Sequence, residues 1–115
     1  MPDYQSVMET RDLGPGQRAA ARVRGADLAL VNVGQTYYAL DGRCPNDGVH
    51  LGEEGRLAGY LLTCPTDGWS FDVRTGERVE PAGPGPALTR YLLRVEENRI
   101  EVGPPLATSG AAAQE

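Results

Sequence analysis

At 115 residues, with 15 glycines, 9 prolines and 6% aromatic residues, the chain has the size of one domain and the composition of short strands joined by turns, not of a helical bundle. Its net charge of −5, from 11 basic against 16 acidic residues, argues against nucleic acid as a partner, which needs clustered Lys and Arg facing phosphate. No run approaches the roughly 20 apolar residues of a membrane span, and Met1-Pro2-Asp3-Tyr4-Gln5 has neither the basic start nor the apolar stretch of a secretory signal, so a soluble cytoplasmic protein is expected.

In chain order, residues 3–8 carry a weak strand signal that ends at the polar turn Glu9-Thr10-Arg11-Asp12. Leu13-Gly14-Pro15-Gly16 is a strong turn. Arg18 to Arg24 alternates small or apolar residues with arginine, as a half-exposed strand does. Gly25-Ala26-Asp27 turns the chain into a β-rich run from Leu28 to Val33, and Gly34-Gln35 turns it again into Thr36 to Leu40. Two successive hairpins are expected, with Tyr37 and Tyr38 on opposite faces of the sheet. A loop then runs from Asp41-Gly42 to Leu51, and a hairpin from Gly55 to Ala58 and Tyr60 to Thr63 leads into a second loop. Phe71 to Val73 reads as a strand, closed by the turn Arg74-Thr75-Gly76-Glu77. Glu80 to Pro86 alternates proline with glycine and alanine, too poor in backbone donors for a central strand, and reads as an ordered loop against the two earlier loops. Leu88 to Val95 puts Tyr91, Leu93 and Val95 on one face, Glu96-Glu97-Asn98 turns, and Arg99 to Val102 returns as the last strand. Residues 1–103 thus form a single domain, with a smaller lobe at about 42–80. Residues 104–115, rich in Pro, Ala, Ser and Gly, read as a frayed tail.

The chemistry concentrates in the two loops, Cys44-Pro45-Asn46-Asp47-Gly48 and Cys64-Pro65-Thr66-Asp67-Gly68. Both spell C-P-x-D-G, they hold the only two cysteines, and the only histidine, His50, follows the first. In a reducing compartment such cysteines point to a metal or to redox chemistry before a permanent bridge. A cysteine followed by a proline-stiffened turn and a glycine is the form of a metal knuckle, in which backbone amides face a thiolate. Two thiolates with Asp47 and Asp67 make a mixed sulfur and oxygen set, unusual because soft and hard donors are combined. The competing reading takes both aspartates as ordinary Asx turns. No acid/base pair, nucleophile with a histidine partner, or phosphate-binding glycine loop is present, so the chain does not read as an enzyme.

The loops and their flanks resemble the Rieske-type ferredoxin domain over nearly the whole chain. The family pattern C-x-H-x-G-x-x-L stands here as Cys44-Pro45-Asn46-Asp47-Gly48-Val49-His50-Leu51, and C-P-x-H-G-W-x-F-D as Cys64-Pro65-Thr66-Asp67-Gly68-Trp69-Ser70-Phe71-Asp72. Thr75-Gly76, Asp12-Leu13-Gly14-Pro15-Gly16 and Tyr38-Ala39-Leu40-Asp41 match as well. The resemblance implies an all-β fold, an antiparallel sandwich or small barrel whose smaller lobe carries the two loops. It implies a soluble electron carrier with a [2Fe-2S] cluster, working between a reductase and an oxygenase component. In the family one iron is held by two cysteines and the other by two histidines. Both cysteine positions are kept as Cys44 and Cys64; the histidine positions are Asn46 and Asp67.

Three outcomes follow. An altered cluster would have Asp67, and Asn46, His50 or water, on the outer iron, with a carboxylate lowering the potential and no imidazole to couple a proton. A metal-free domain would serve as an interaction subunit or as a thiol switch. Two thiolates on one tetrahedral metal lie about 3.7 Å apart, a disulfide needs about 2.05 Å, and closing such a loop stabilises by about 3 kcal/mol. A mononuclear zinc would be held by Cys44 and Cys64 with Asp67 or His50. His50 falls on a variable position of the pattern and is expected as a loop-surface side chain before a ligand. Trp69 and Phe71 are expected as packing residues beneath the second loop.

Overall fold

The computed structural model describes residues 3–106. Ten strands run in chain order: β1 Gln5–Glu9, β2 Arg18–Val23, β3 Ala26–Val33, β4 Thr36–Asp41, β5 Arg56–Ala58, β6 Leu61–Thr63, β7 Ser70–Asp72, β8 Arg78–Glu80, β9 Arg90–Glu96 and β10 Arg99–Pro105. One short helix, α1 (Leu51–Glu54), and a 3-10 turn at Thr10–Asp12 complete them. All pairings are antiparallel. Six strands, in the order β1-β10-β9-β4-β3-β2, curl into a nearly closed, barrel-like sheet, and β5-β6-β7-β8 make a second, smaller one. The all-β expectation holds.

The β-rich run at 28–33 is the wall between two apolar cores. Strand side chains alternate in direction, so Leu28 and Leu30 enter one core with Leu13, Val23, Ile100 and Val102. Ala29 and Val31 enter the other with Leu40, Leu51, Leu62, Phe71 and Leu88. A strand buried on both faces reads as a continuous apolar run, which is what this segment shows. Its neighbour β4 divides in the same way: Tyr38 packs on the second core and Tyr37 on the first, on opposite faces as their adjacency requires. Cys44 and Cys64 belong to the second core. The thiols are therefore built into the packing that joins the barrel to the small sheet.

Three local readings change. β8 forms just before the proline-rich stretch, where the sequence signals only a turn and a loop; it is an edge strand, short enough to need no long β-pattern. The proline-rich loop meets the site through an intermediary: Arg78 donates to the carbonyls of Gly83 (3.1 Å) and Pro84 (2.7 Å) while its guanidinium lies 4.7 Å from the centre of the Trp69 ring. β10 continues through Pro105, taking in the first two residues of the expected tail; residues 107–115 of that tail, like residues 1–2, lie outside the described residues. Val95 stays in register on the face of Tyr91 and Leu93, opposite Ile100, but is itself exposed.

Candidate metal centre

Each loop is built by the same hydrogen bonds, residue for residue. The Cys44 amide donates to the Val49 carbonyl at 2.9 Å and the Gly48 amide to the Cys44 carbonyl at 2.8 Å. In the second loop, Cys64 donates to Trp69 at 2.8 Å and Gly68 to Cys64 at 3.0 Å. Gly48 and Gly68 have φ of 81° and 79°, the left-handed backbone that glycine reaches without a steric penalty. The Oδ1 of Asp47 accepts from the Val49 amide at 3.0 Å, and that of Asp67 from the Trp69 amide at 2.9 Å. Both aspartates are thus the Asx turns that the sequence allowed.

Their Oδ2 atoms cross to the opposite loop. Asp67 Oδ2 lies 3.7 Å from Cys44 Sγ and Asp47 Oδ2 3.5 Å from Cys64 Sγ. Asn46 Nδ2 donates to Asp67 Oδ2 at 2.7 Å, and the Thr66 hydroxyl donates to Asp47 Oδ2. One ligand atom from each of Cys44, Asp47, Cys64 and Asp67 lies within 4.8 Å of all the others, a group able to hold a metal ion. The turn reading and the metal-donor reading of the aspartates are therefore compatible, since each carboxylate has one oxygen for each task.

Burial divides the four into two pairs. The cysteines are 2% and 0% exposed and carry free thiols. Burial pushes the Cys44 thiol up to about 11, against a smaller opposing pull from the Asn46 and Asp47 amides. The Thr66 hydroxyl and the Val49 amide hold Asp47 below the usual carboxylate range. At Asp67 burial pushes upward, but the Asn46 amide and the Trp69 amide together outweigh it and the carboxyl is also held low. Two buried thiols thus face two carboxylates across a gap at the tip of the small lobe.

The structure separates the remaining sequence candidates. Asn46 stands in a ligand position of the family pattern, but its amide group braces Asp67. His50 is not on the surface: it is 7% exposed, and its Nδ1 accepts the Gly52 amide at 3.1 Å as the N-cap of α1. A Cβ added at Gly42 would stand 2.9 Å from the His50 ring and from the Asp27 carbonyl, and one at Gly52 2.8 Å from the Ala19 carbonyl. The ring is therefore pinned between two glycines that let α1 lie against β2 and β3. Arg18 closes the other end of α1, donating to the Gly55 carbonyl at 2.6 Å. Arg43 anchors the first loop, reaching Asp27 at 3.1 Å and the Gly48 carbonyl at 3.1 Å. Phe71 is fully buried and Trp69 packs half-buried beside it, their ring centres 6.5 Å apart, the packing role expected of them. Asp47 is the residue that alignment to the family pattern passes over; the repeated C-P-x-D-G spelling is the signal that finds it.

Residues 3–91 match the model of the Rieske [2Fe-2S] domain. The chain belongs to the Rieske [2Fe-2S] domain family. The ferredoxin component of an alkene monooxygenase system from Xanthobacter autotrophicus is 31% identical over 111 residues, 96% of this chain and 89% of that protein. The ferredoxin of carbazole 1,9a-dioxygenase from Nocardioides aromaticivorans superposes with a TM-score of 0.79 at 27% identity, covering 88% of this chain and 97% of that one. A chain from the complex of reduced oxygenase and oxidised ferredoxin in carbazole 1,9a-dioxygenase superposes with a TM-score of 0.78 at 31% identity, over 87% and 92% of the two chains. These relatives are electron carriers, and this chain is a ferredoxin-type member of the family, a carrier in kind and not a catalytic subunit. Among the described residues, no helix is long and apolar enough to cross a membrane.

The family's histidine-ligated cluster does not fit this donor set. The two thiols are in place for one iron, but no imidazole faces them. His50 is spent on α1, and Asn46 and Asp67 are bonded to each other in the two histidine positions.

Proposed function

We propose that this chain is the small electron-transfer component of an oxygenase-type system in the cytoplasm, receiving one electron at a time from a reductase and passing it to an oxygenase. The observation that carries this reading is the paired-loop tip itself, on a fold shared along its length with ferredoxin components. Two buried thiols and two carboxylates converge there beneath a thin shell of exposed residues. Cys44 and Cys64 supply the sulfur donors, and Asp67 and Asn46 stand where the family uses imidazole.

The chain's own residues prepare the tip for docking. Pro45, Asn46, Asp47, Thr66 and Gly68 are exposed around the buried sulfurs, so a partner can approach closely while water is kept from the thiols. The acidic tip favours a partner surface that is basic at its centre. A carboxylate-bearing centre gives up the proton coupling that imidazole ligands provide.

The test is reductive titration of the iron-loaded chain, first oxidised with ferricyanide and desalted anaerobically, by NADH and an oxygenase-system reductase, followed optically. Uptake of about one electron per chain, returned on adding an oxygenase component, supports the proposal. A chain that takes up no electron when loaded with iron refutes it.

One observation favours a second reading, a metal-free subunit or thiol switch that binds partners and moves no electrons. Asn46 and Thr66 already satisfy the crossing carboxylate oxygens without any ion. In that case partner binding would survive chelation unchanged.

A further inference from the structure

The spacing of the four donors differs from that of a two-iron cluster. Donors on the two irons of a bridged cluster are separated by two metal–ligand bonds and by the gap between the irons. Donors on one ion are separated only by two bonds meeting at a tetrahedral angle. With metal–sulfur and metal–oxygen bonds of about 2.3 Å and 2.0 Å, a sulfur and an oxygen sharing one ion lie about 3.5 Å apart. The two crossed pairs, Cys44 with Asp67 and Cys64 with Asp47, measure 3.7 Å and 3.5 Å. In the family arrangement the Cys44 and Asp67 positions belong to different irons, and the Asp47 position belongs to neither.

We infer that the paired loops hold a single divalent first-row transition ion, tetrahedrally bound by Cys44, Cys64, Asp47 and Asp67. This deepens the carrier reading, which further requires that the ion be iron; the ion site itself rests on the four donors. Both thiols are more than nine-tenths buried and unbridged, and each Sγ meets a carboxylate of the opposite loop. On binding, two thiol protons leave to solvent and two metal–sulfur bonds form, with no change of oxidation state. Two thiolates and two carboxylates around a divalent ion carry a net charge of −2, the same as a structural site of four cysteines. Asn46 and Thr66 are then positioning residues that orient the carboxylates, as outer partners do around metals. Soft sulfur with hard oxygen admits zinc, cobalt or ferrous iron and disfavours calcium or magnesium, which want six or more oxygens.

The site is tested on the full chain, reduced and metal-free, by anaerobic titration with cobalt(II). A break at about one equivalent, with tetrahedral ligand-field bands and thiolate-to-cobalt charge transfer, is expected. Asp47→Asn keeps the turn-forming oxygen but removes the anionic donor, and should weaken cobalt binding by tenfold or more while circular dichroism shows the metal-free fold unchanged. Equal affinity in wild type and Asp47→Asn, or no tetrahedral cobalt spectrum at millimolar metal, overturns the inference. So does a chain that loads iron only together with sulfide. In that last case the reductive titration can still succeed, so failure of the single-ion site is distinguishable from failure of the carrier reading.

Discussion

Replacing His50 by alanine should separate the architecture of the first loop from its chemistry. The ring is 7% exposed and its Nδ1 accepts the buried Gly52 amide at 3.1 Å. Losing an N-cap acceptor costs about 1 kcal/mol. Emptying the space between Gly42 and Gly52 adds the transfer and cavity cost of a buried side chain, about 1–3 kcal/mol for a ring of this size. The sum, about 2–4 kcal/mol, corresponds to a fall in Tm of roughly 10–25 °C for a domain of about 100 residues. Thermal unfolding by circular dichroism measures it. His50→Asn, which restores a cap acceptor without the ring, should recover about 1 kcal/mol of the loss. Cobalt binding at low temperature should keep its stoichiometry and its spectrum in both variants, because His50 is not one of the four donors. The reasoning is refuted if His50→Ala unfolds like the wild type, or if a folded variant loses the ion.

Further perturbations address the rest of the fold and site. The Tyr91 hydroxyl donates to Asp41 at 3.0 Å, and burial together with that bond pushes the phenol up to about 12 from 10.0. Tyr91→Phe should cost about 1 kcal/mol in chemical denaturation. In the wild type this contribution is complete below pH 10 and is lost as pH rises toward 12, since only the unfolded phenol ionises in that window; the variant should lack that step. Gly76 has φ of 82°, and a Cβ there would lie 2.1 Å from the Leu88 carbonyl oxygen. Gly76→Ala should therefore destabilise by about 3 kcal/mol or more, visible as a lower denaturation midpoint. Asp67→Asn should alter the visible spectrum of the metal-loaded chain, and an unchanged spectrum would remove Asp67 from the centre.

Much of this was legible because it is local. The β3 run showed its two-sided burial as unbroken hydrophobicity, and the repeated C-P-x-D-G spelling announced two superimposable loops. What crosses between elements was not legible. The pairing of Asp47 with Cys64 depends on two loops meeting in space, and alignment to the family pattern pointed to Asn46 instead. His50 looked like a surface side chain because its burial comes from two glycines, Gly42 and Gly52, whose lack of a side chain admits the ring. β8 is only three residues long and an edge strand, too short to leave a period in the sequence.

The most direct measurement is a count of metal and acid-labile sulfide on one anaerobically purified sample, with its visible spectrum. Iron and zinc together should total about one equivalent per chain, with no sulfide, and the iron-bearing fraction, once oxidised to the ferric state with ferricyanide, should bleach on one-electron reduction. About two irons and two sulfides per chain would contradict the single-ion centre, and a chain that binds no metal even after reconstitution would contradict an electron-carrying site at the paired loops.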